Sequence, residues 1–160
     1  WSDFFPSLKV SNRGVGGDKT SDILRRLDSI VSVKADEALI MVGINDIYEG
    51  VATSKIIDNY ELIIDGLANH EMSVIVQSTI QCQLEICGAE RVSKLNELNN
   101  ELERLVLSRG LKFIWLKKLS NKNGLASAYT YDGVHLNANG YLEWVRQINQ
   151  AIGSGTKRTQ

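Results

Sequence analysis

Of the two histidines in the chain, only one has an acid at a spacing that suits chemistry. His135 follows Asp132 by three residues in the run Tyr131-Asp132-Gly133-Val134-His135-Leu136-Asn137, and Gly133 between them lets the backbone turn. That spacing can bring a carboxylate onto the imidazole Nδ1 and leave Nε2 as a general base, which is the Asp-His half of a nucleophilic triad. An Asp-x-x-His pair also suits metal ligation. With no second histidine and no carboxylate cluster at ligand spacing, the triad is preferred and no metal is expected. His70 falls at the end of a predicted helix, where a cation is favoured beside the helix dipole, and is read as structural.

Two further segments offer hydrogen-bond donors. In Val42-Gly43-Ile44-Asn45-Asp46 a predicted strand ends at a glycine that permits close approach, and the Asn45 amide then projects as a neutral donor suited to an oxyanion. The alternative for Asn45 and Asp46 is an Asx-turn that only closes the loop. The segment Asn12-Arg13-Gly14-Val15-Gly16-Gly17-Asp18-Lys19-Thr20 is glycine-rich and opens a helix, so its backbone N–H groups converge on a spot that suits an oxyanion or a phosphate. It meets neither the Walker spacing, because Lys19 follows Asp18 rather than a glycine, nor the three-glycine dinucleotide fingerprint, so a nucleotide is disfavoured.

These segments need a scaffold to hold them. Val- and Ile-rich runs alternate with amphipathic stretches, the pattern of βαβ units in a parallel sheet. Strands are predicted at 9–12, 37–43, 73–79 and 112–116. A first helix starts with Thr20 or Ser21 as its cap and carries Ile23, Leu24, Leu27 and Ile30 on one face. Others are predicted over 54–69, over 89–108 before Gly110, and over 139–152. In such a doubly wound α/β domain, active sites lie at the carboxyl ends of the strands, where all three segments above fall. Residues 1–152 read as one domain, and the polar stretch 153–160 as a tail without order.

The chain has 160 residues, is 43% hydrophobic and 23% charged, and carries a formal net charge of −1, the balance of a soluble globular protein without a nucleic-acid partner. Its apolar runs are far shorter than the roughly 18 to 20 residues that span a bilayer. Cys82 and Cys87 match neither a zinc nor a redox CxxC spacing, and free thiols are preferred over a local bridge. Compartment and oligomeric state stay open.

Taken in order, the glycine loop, the Gly-x-Asn-Asp turn and the C-terminal Asp-x-x-His resemble the GDSL/SGNH hydrolase family over nearly the whole chain. Asn12 to Gly17 resembles the family's second block, Gly43-Ile44-Asn45-Asp46 its third, and Asp132 to Asn137 with Gly140-Tyr141 its last. The resemblance implies a three-layer flavodoxin-like fold and an esterase without a cofactor, acting through an acyl-serine on a small-molecule or carbohydrate ester. A small acyl group such as acetyl is expected. It further implies that Gly17 N–H and the Asn45 side chain bind the oxyanion, that His135 is the base and that Asp132 orients it, with Asn12, Gly14, Gly43 and Asp46 in support. The family's Gly-Asp-Ser block is not found in these residues; Ser2, Ser7 and Ser11 do not match it. The nucleophilic serine and the first, central strand are therefore expected upstream of Trp1. An O-acyltransferase, or a carbohydrate- or partner-binding domain without turnover, is the alternative; a flavodoxin-like nucleotide or receiver domain fits the fold but lacks the acid cluster.

Overall fold

The run Val74-Ile75-Val76 is apolar at every position, the mark of a strand covered on both faces. In the computed structural model, which describes residues 2–153, it forms the middle of a three-stranded parallel sheet. The strands are β1 (Glu37–Ile40), β2 (Ser73–Gln77) and β3 (Lys112–Ile114), in the order β1-β2-β3. Ala38 stands opposite Val74, and Val76 opposite Phe113. An antiparallel hairpin of β4 (Ser120–Asn121) and β5 (Gly124–Leu125) follows.

Among the described residues six α-helices accompany the strands: α1 (Thr20–Arg25), α2 (Leu27–Val31), α3 (Ile44–Tyr48), α4 (Thr53–Ala68), α5 (Leu84–Ser108) and α6 (Ala138–Gly153). Strands that advance one way across a sheet send their crossovers to one face, and α4 and α5 pack together there. Ile56, Tyr60, Ile63, Ile64 and Leu67 share a buried core with Leu95, Leu98, Leu102, Val106, Val74 and Val76. Each such side chain contributes about 1.5–3 kcal/mol on full burial. On the opposite face Ile75, Ile114 and Leu116 pack against Trp144 and Ile152 of α6, giving three layers.

Several expectations are corrected. Residues 9–12 are exposed and join no ladder. Extended backbone becomes a strand only with a hydrogen-bonding neighbour, and β1, the edge of the sheet, pairs with β2 alone. The remaining strands are shorter than predicted, ending at Ile40, Gln77 and Ile114, because the chain turns into the site loops there. The single helix expected after Thr20 is broken at Arg26 (φ −112°, ψ 17°), whose side chain turns back onto Asp18, Nε to Oδ2 2.8 Å. Its N-cap is Lys19, whose N–H donates to Asp22 at 2.8 Å; Thr20 lies within the first turn. The third long helix starts earlier than expected, at Leu84, and kinks at Gly88 (φ 77°, ψ 159°). Cys82 and Cys87 are joined in a disulfide rather than left as thiols. Of the tail expected at 153–160, Gly153 is the last residue of α6, and 154–160 lie outside the described residues.

Candidate active site

Parallel strands put all their carboxyl ends at one edge of the sheet, and the chain leaves β1 and β2 there into loops that carry or support the predicted site residues. After β1 the chain reaches Val42, which is held at three points: its N–H donates to the Tyr60 hydroxyl (3.1 Å), and its carbonyl accepts from that hydroxyl (2.8 Å) and from Thr79 Oγ1 (2.9 Å). Burial pushes the Tyr60 hydroxyl pKa up, so it stays protonated and available as a donor. Gly43 then turns at φ 122°, where a Cβ would stand 2.8 Å from Leu98 Cδ2, and caps α3. This short helix, unseen in the apolar pattern, carries Asn45 and Asp46.

Those neighbours have different fates. The Asn45 Nδ2 donates to the Asp18 carbonyl at 3.0 Å, one residue beyond Gly17, which leaves the second amide hydrogen for another acceptor. Gly17 sits at φ 85° in a turn closed by Asp18 N–H on the Val15 carbonyl (3.4 Å), a position that requires positive φ. Asp46 is buried, 1% exposed, and accepts from Thr20 N–H (3.0 Å) and Thr20 Oγ1 (2.6 Å). Asn59 Nδ2 in turn donates to that hydroxyl at 2.8 Å. Asp46 therefore ties α3 to α1 and α4, and does not face an open site. Asn12 and Gly14 are exposed and bond each other, Gly14 N–H to Asn12 Oδ1 at 3.0 Å.

The third loop carries the Asp-His pair. Asp132 Oδ1 accepts the N–H groups of Val134 (2.9 Å) and His135 (2.7 Å), and Oδ2 lies 2.7 Å from His135 Nδ1. The His135 side-chain hydrogen bond, then the backbone N–H donors, lower the Asp132 carboxyl to about 2. An ionised carboxylate accepts the Nδ1 proton, so Nε2 is the free nitrogen, on a ring that is 69% exposed. The Thr130 hydroxyl donates to the His135 carbonyl (2.7 Å) and accepts from Gly133 N–H (2.9 Å). Asn137 locks the loop to the start of α6, donating to Ala128 and Thr130 carbonyls and accepting from Gly140 N–H.

The start of α5 joins these pieces. Gln83 N–H donates to the Gly133 carbonyl at 2.7 Å, and the Tyr48 hydroxyl at the end of α3 lies 2.8 Å from Cys87 Sγ. The Asn45 helix and the Asp132–His135 loop are thus both anchored on the disulfide-closed segment 82–87. Gln83 and Tyr48 belong to no motif, and Thr20, expected only as a helix cap, is instead a donor to the Asp46 carboxylate. His70 lies just past α4, its Nδ1 2.9 Å from the Gly66 carbonyl, away from these loops.

Known proteins extend this picture. A Bacteroides fragilis protein assigned as an acylhydrolase has 25% identity, covering 96% of this chain and 78% of that one at TM-score 0.85. A GDSL-like lipase from Bacteroides thetaiotaomicron has 23% identity over 96% and 80%, at TM-score 0.84. An acetylxylan esterase from Geobacillus stearothermophilus, solved as catalytic mutants in which a serine, an aspartate or a histidine three residues after that aspartate is replaced by alanine, has 16% identity over 99% and 80% at TM-score 0.82 in the aspartate mutant. No curated protein matches the sequence. Residues 2–142 match the model of the GDSL-like lipase/acylhydrolase family, and the chain belongs to that family of serine ester hydrolases.

Proposed function

We propose that the protein hydrolyses carboxylic esters of a small acyl group, acetyl above all, through an acyl-serine, with His135 as base, Asp132 as its orienting carboxylate, and Gly17 N–H and Asn45 Nδ2 as oxyanion donors. The observation that carries this reading is the 2.7 Å Asp132–His135 pair on an exposed imidazole at the carboxyl edge of the sheet. His135 Nε2 takes the serine proton as Oγ attacks the ester carbonyl, and the oxyanion gains two donors as its charge develops. Collapse of the intermediate expels the alcohol, which receives the proton from Nε2. Water, deprotonated by the same nitrogen, then releases the acid. Acetyl is favoured by the likeness to acetylxylan esterases.

The serine in this reading lies on a strand and turn N-terminal to Trp1, seated against the outer edge of β1. In support, Glu37-Ala38-Leu39-Ile40 has the composition of a covered strand, yet Leu39 is 38% exposed and, among the described residues, no strand pairs with the outer edge of β1. The unit so completed would be a single domain ending near residue 152.

Labelling with a fluorophosphonate, read by intact mass, tests the whole. One adduct on a serine, lost in His135→Ala, is the expected result. No adduct, together with no hydrolysis of p-nitrophenyl acetate, would replace the esterase with a binding domain on the same fold.

A further inference from the structure

Tyr131 is the most exposed large hydrophobic side chain among the described residues, at 71%, and it is not left hanging in solvent. Its ring stacks on the His135 imidazole, with centroids 6.0 Å apart and planes within 15°. Both rings are carried by one loop, whose backbone is pinned by Thr130 and Asn137 as described above, so the outer face of the Tyr131 ring is presented next to the base. The Gln83 side chain packs on the same loop: a Cβ on Gly133 would come within 2.9 Å of Gln83 Oε1. The Gln83 amide donates to the Ser127 hydroxyl at 2.9 Å. An exposed aromatic face on a loop that also packs against a neutral amide and a hydroxyl matches a pyranose, which presents C–H groups on one face and hydroxyls around its edge.

Chemistry decides which half of the ester lies there. The leaving oxygen must come within hydrogen-bond distance of His135 Nε2 to be protonated, whereas the acyl carbonyl oxygen points away, toward the oxyanion donors. The alcohol, not the acyl group, is the part that runs along the imidazole and onto the ring stacked with it. We propose that Tyr131 is the residue that sets alcohol specificity, a platform on which a sugar ring stacks while its O-acetyl group is cleaved. This rests on the assignment of His135 as the base.

The test compares kcat/KM for a methyl xylopyranoside acetate with that for ethyl acetate, esters with the same acyl group on different alcohols, and adds p-nitrophenyl acetate and butyrate to read the acyl side. Loss of the stacking face in Tyr131→Ala is expected to lower the xylopyranoside-to-ethyl ratio about tenfold, mostly through KM. Tyr131→Trp should restore the ratio, and the acetate-to-butyrate preference should not follow the substitution. An unchanged alcohol ratio in Tyr131→Ala, with all four rates falling together, would mean that the ring only orients His135 and would overturn the proposal. A shift in the acetate-to-butyrate preference instead would assign Tyr131 to the acyl side and overturn it as well. If the unaltered enzyme cleaves none of the esters, or His135→Ala retains the rate, the failure lies in the catalytic assignment itself, and the platform falls with it.

Discussion

A carboxylate that accepts two backbone N–H groups and an imidazole N–H from its own loop is held ionised long after an ordinary aspartate would protonate. For Asp132 the folded value is about 2, against 3.8 for the unperturbed group, with the His135 side chain as the largest cause. A depressed carboxylate stabilises the fold above its unfolded value and loses that contribution as the pH falls through the folded one. The difference in Tm between the parent and Asp132→Asn should therefore be fully present above the unfolded value of 3.8 and close as the pH falls toward about 2, as thermal melts across that range would record. In activity, Asp132→Asn should lower kcat by about 10⁴-fold, since the amide favours the wrong imidazole tautomer. Replacing Asn45 with alanine should cost about 10²–10³ in kcat with KM little changed, the signature of a donor used in the transition state, read from steady-state kinetics on p-nitrophenyl acetate.

Among elements, the segment 82–87 has the largest role for its size. It touches α3 through Tyr48, the Asp132–His135 loop through Gln83, and the β4–β5 hairpin through Leu125 N–H on the Cys82 carbonyl. Cross-linking so short a loop stabilises by about 2 kcal/mol in the chain-entropy account. The double variant Cys82→Ser/Cys87→Ser should lose about that much in urea unfolding, and the parent should lose it on reduction. Asp46 has a comparable role on the other side of the site, where its buried carboxylate joins three helices through Thr20 and Asn59.

For the molecule as a whole, stability is concentrated where α4 and α5 cover the sheet, away from the edge at β1. Leu98 is fully buried and also fills the space next to Gly43, so one side chain supports both the core and the turn into the Asn45 helix. Leu98→Ala should cost about 2–5 kcal/mol in denaturant midpoint analysis, with activity lost only as the fold is lost. No helix among the described residues is long and apolar enough to cross a membrane.

The sequence by itself determined what depends on neighbours a few residues apart. Asp132 and His135 bond as their spacing requires, the amphipathic stretches became α4, α5 and α6, and the Val-Ile run became the central strand. These are local contacts and local periodicities, and one strand of text contains both partners. Only tertiary structure decided the remainder. The Asn45 amide meets a carbonyl 27 residues earlier, while the adjacent Asp46 is buried under Thr20. Cys82 and Cys87 are paired because the turn that opens α5, closed by Cys87 N–H on the Gln83 carbonyl at 3.0 Å, brings their Cα atoms to 6.2 Å, a conformation that the spacing of the two residues alone leaves open. Residues 9–12, a strand by composition, stay out of the sheet because β-structure is a property of two chains side by side, and composition describes one.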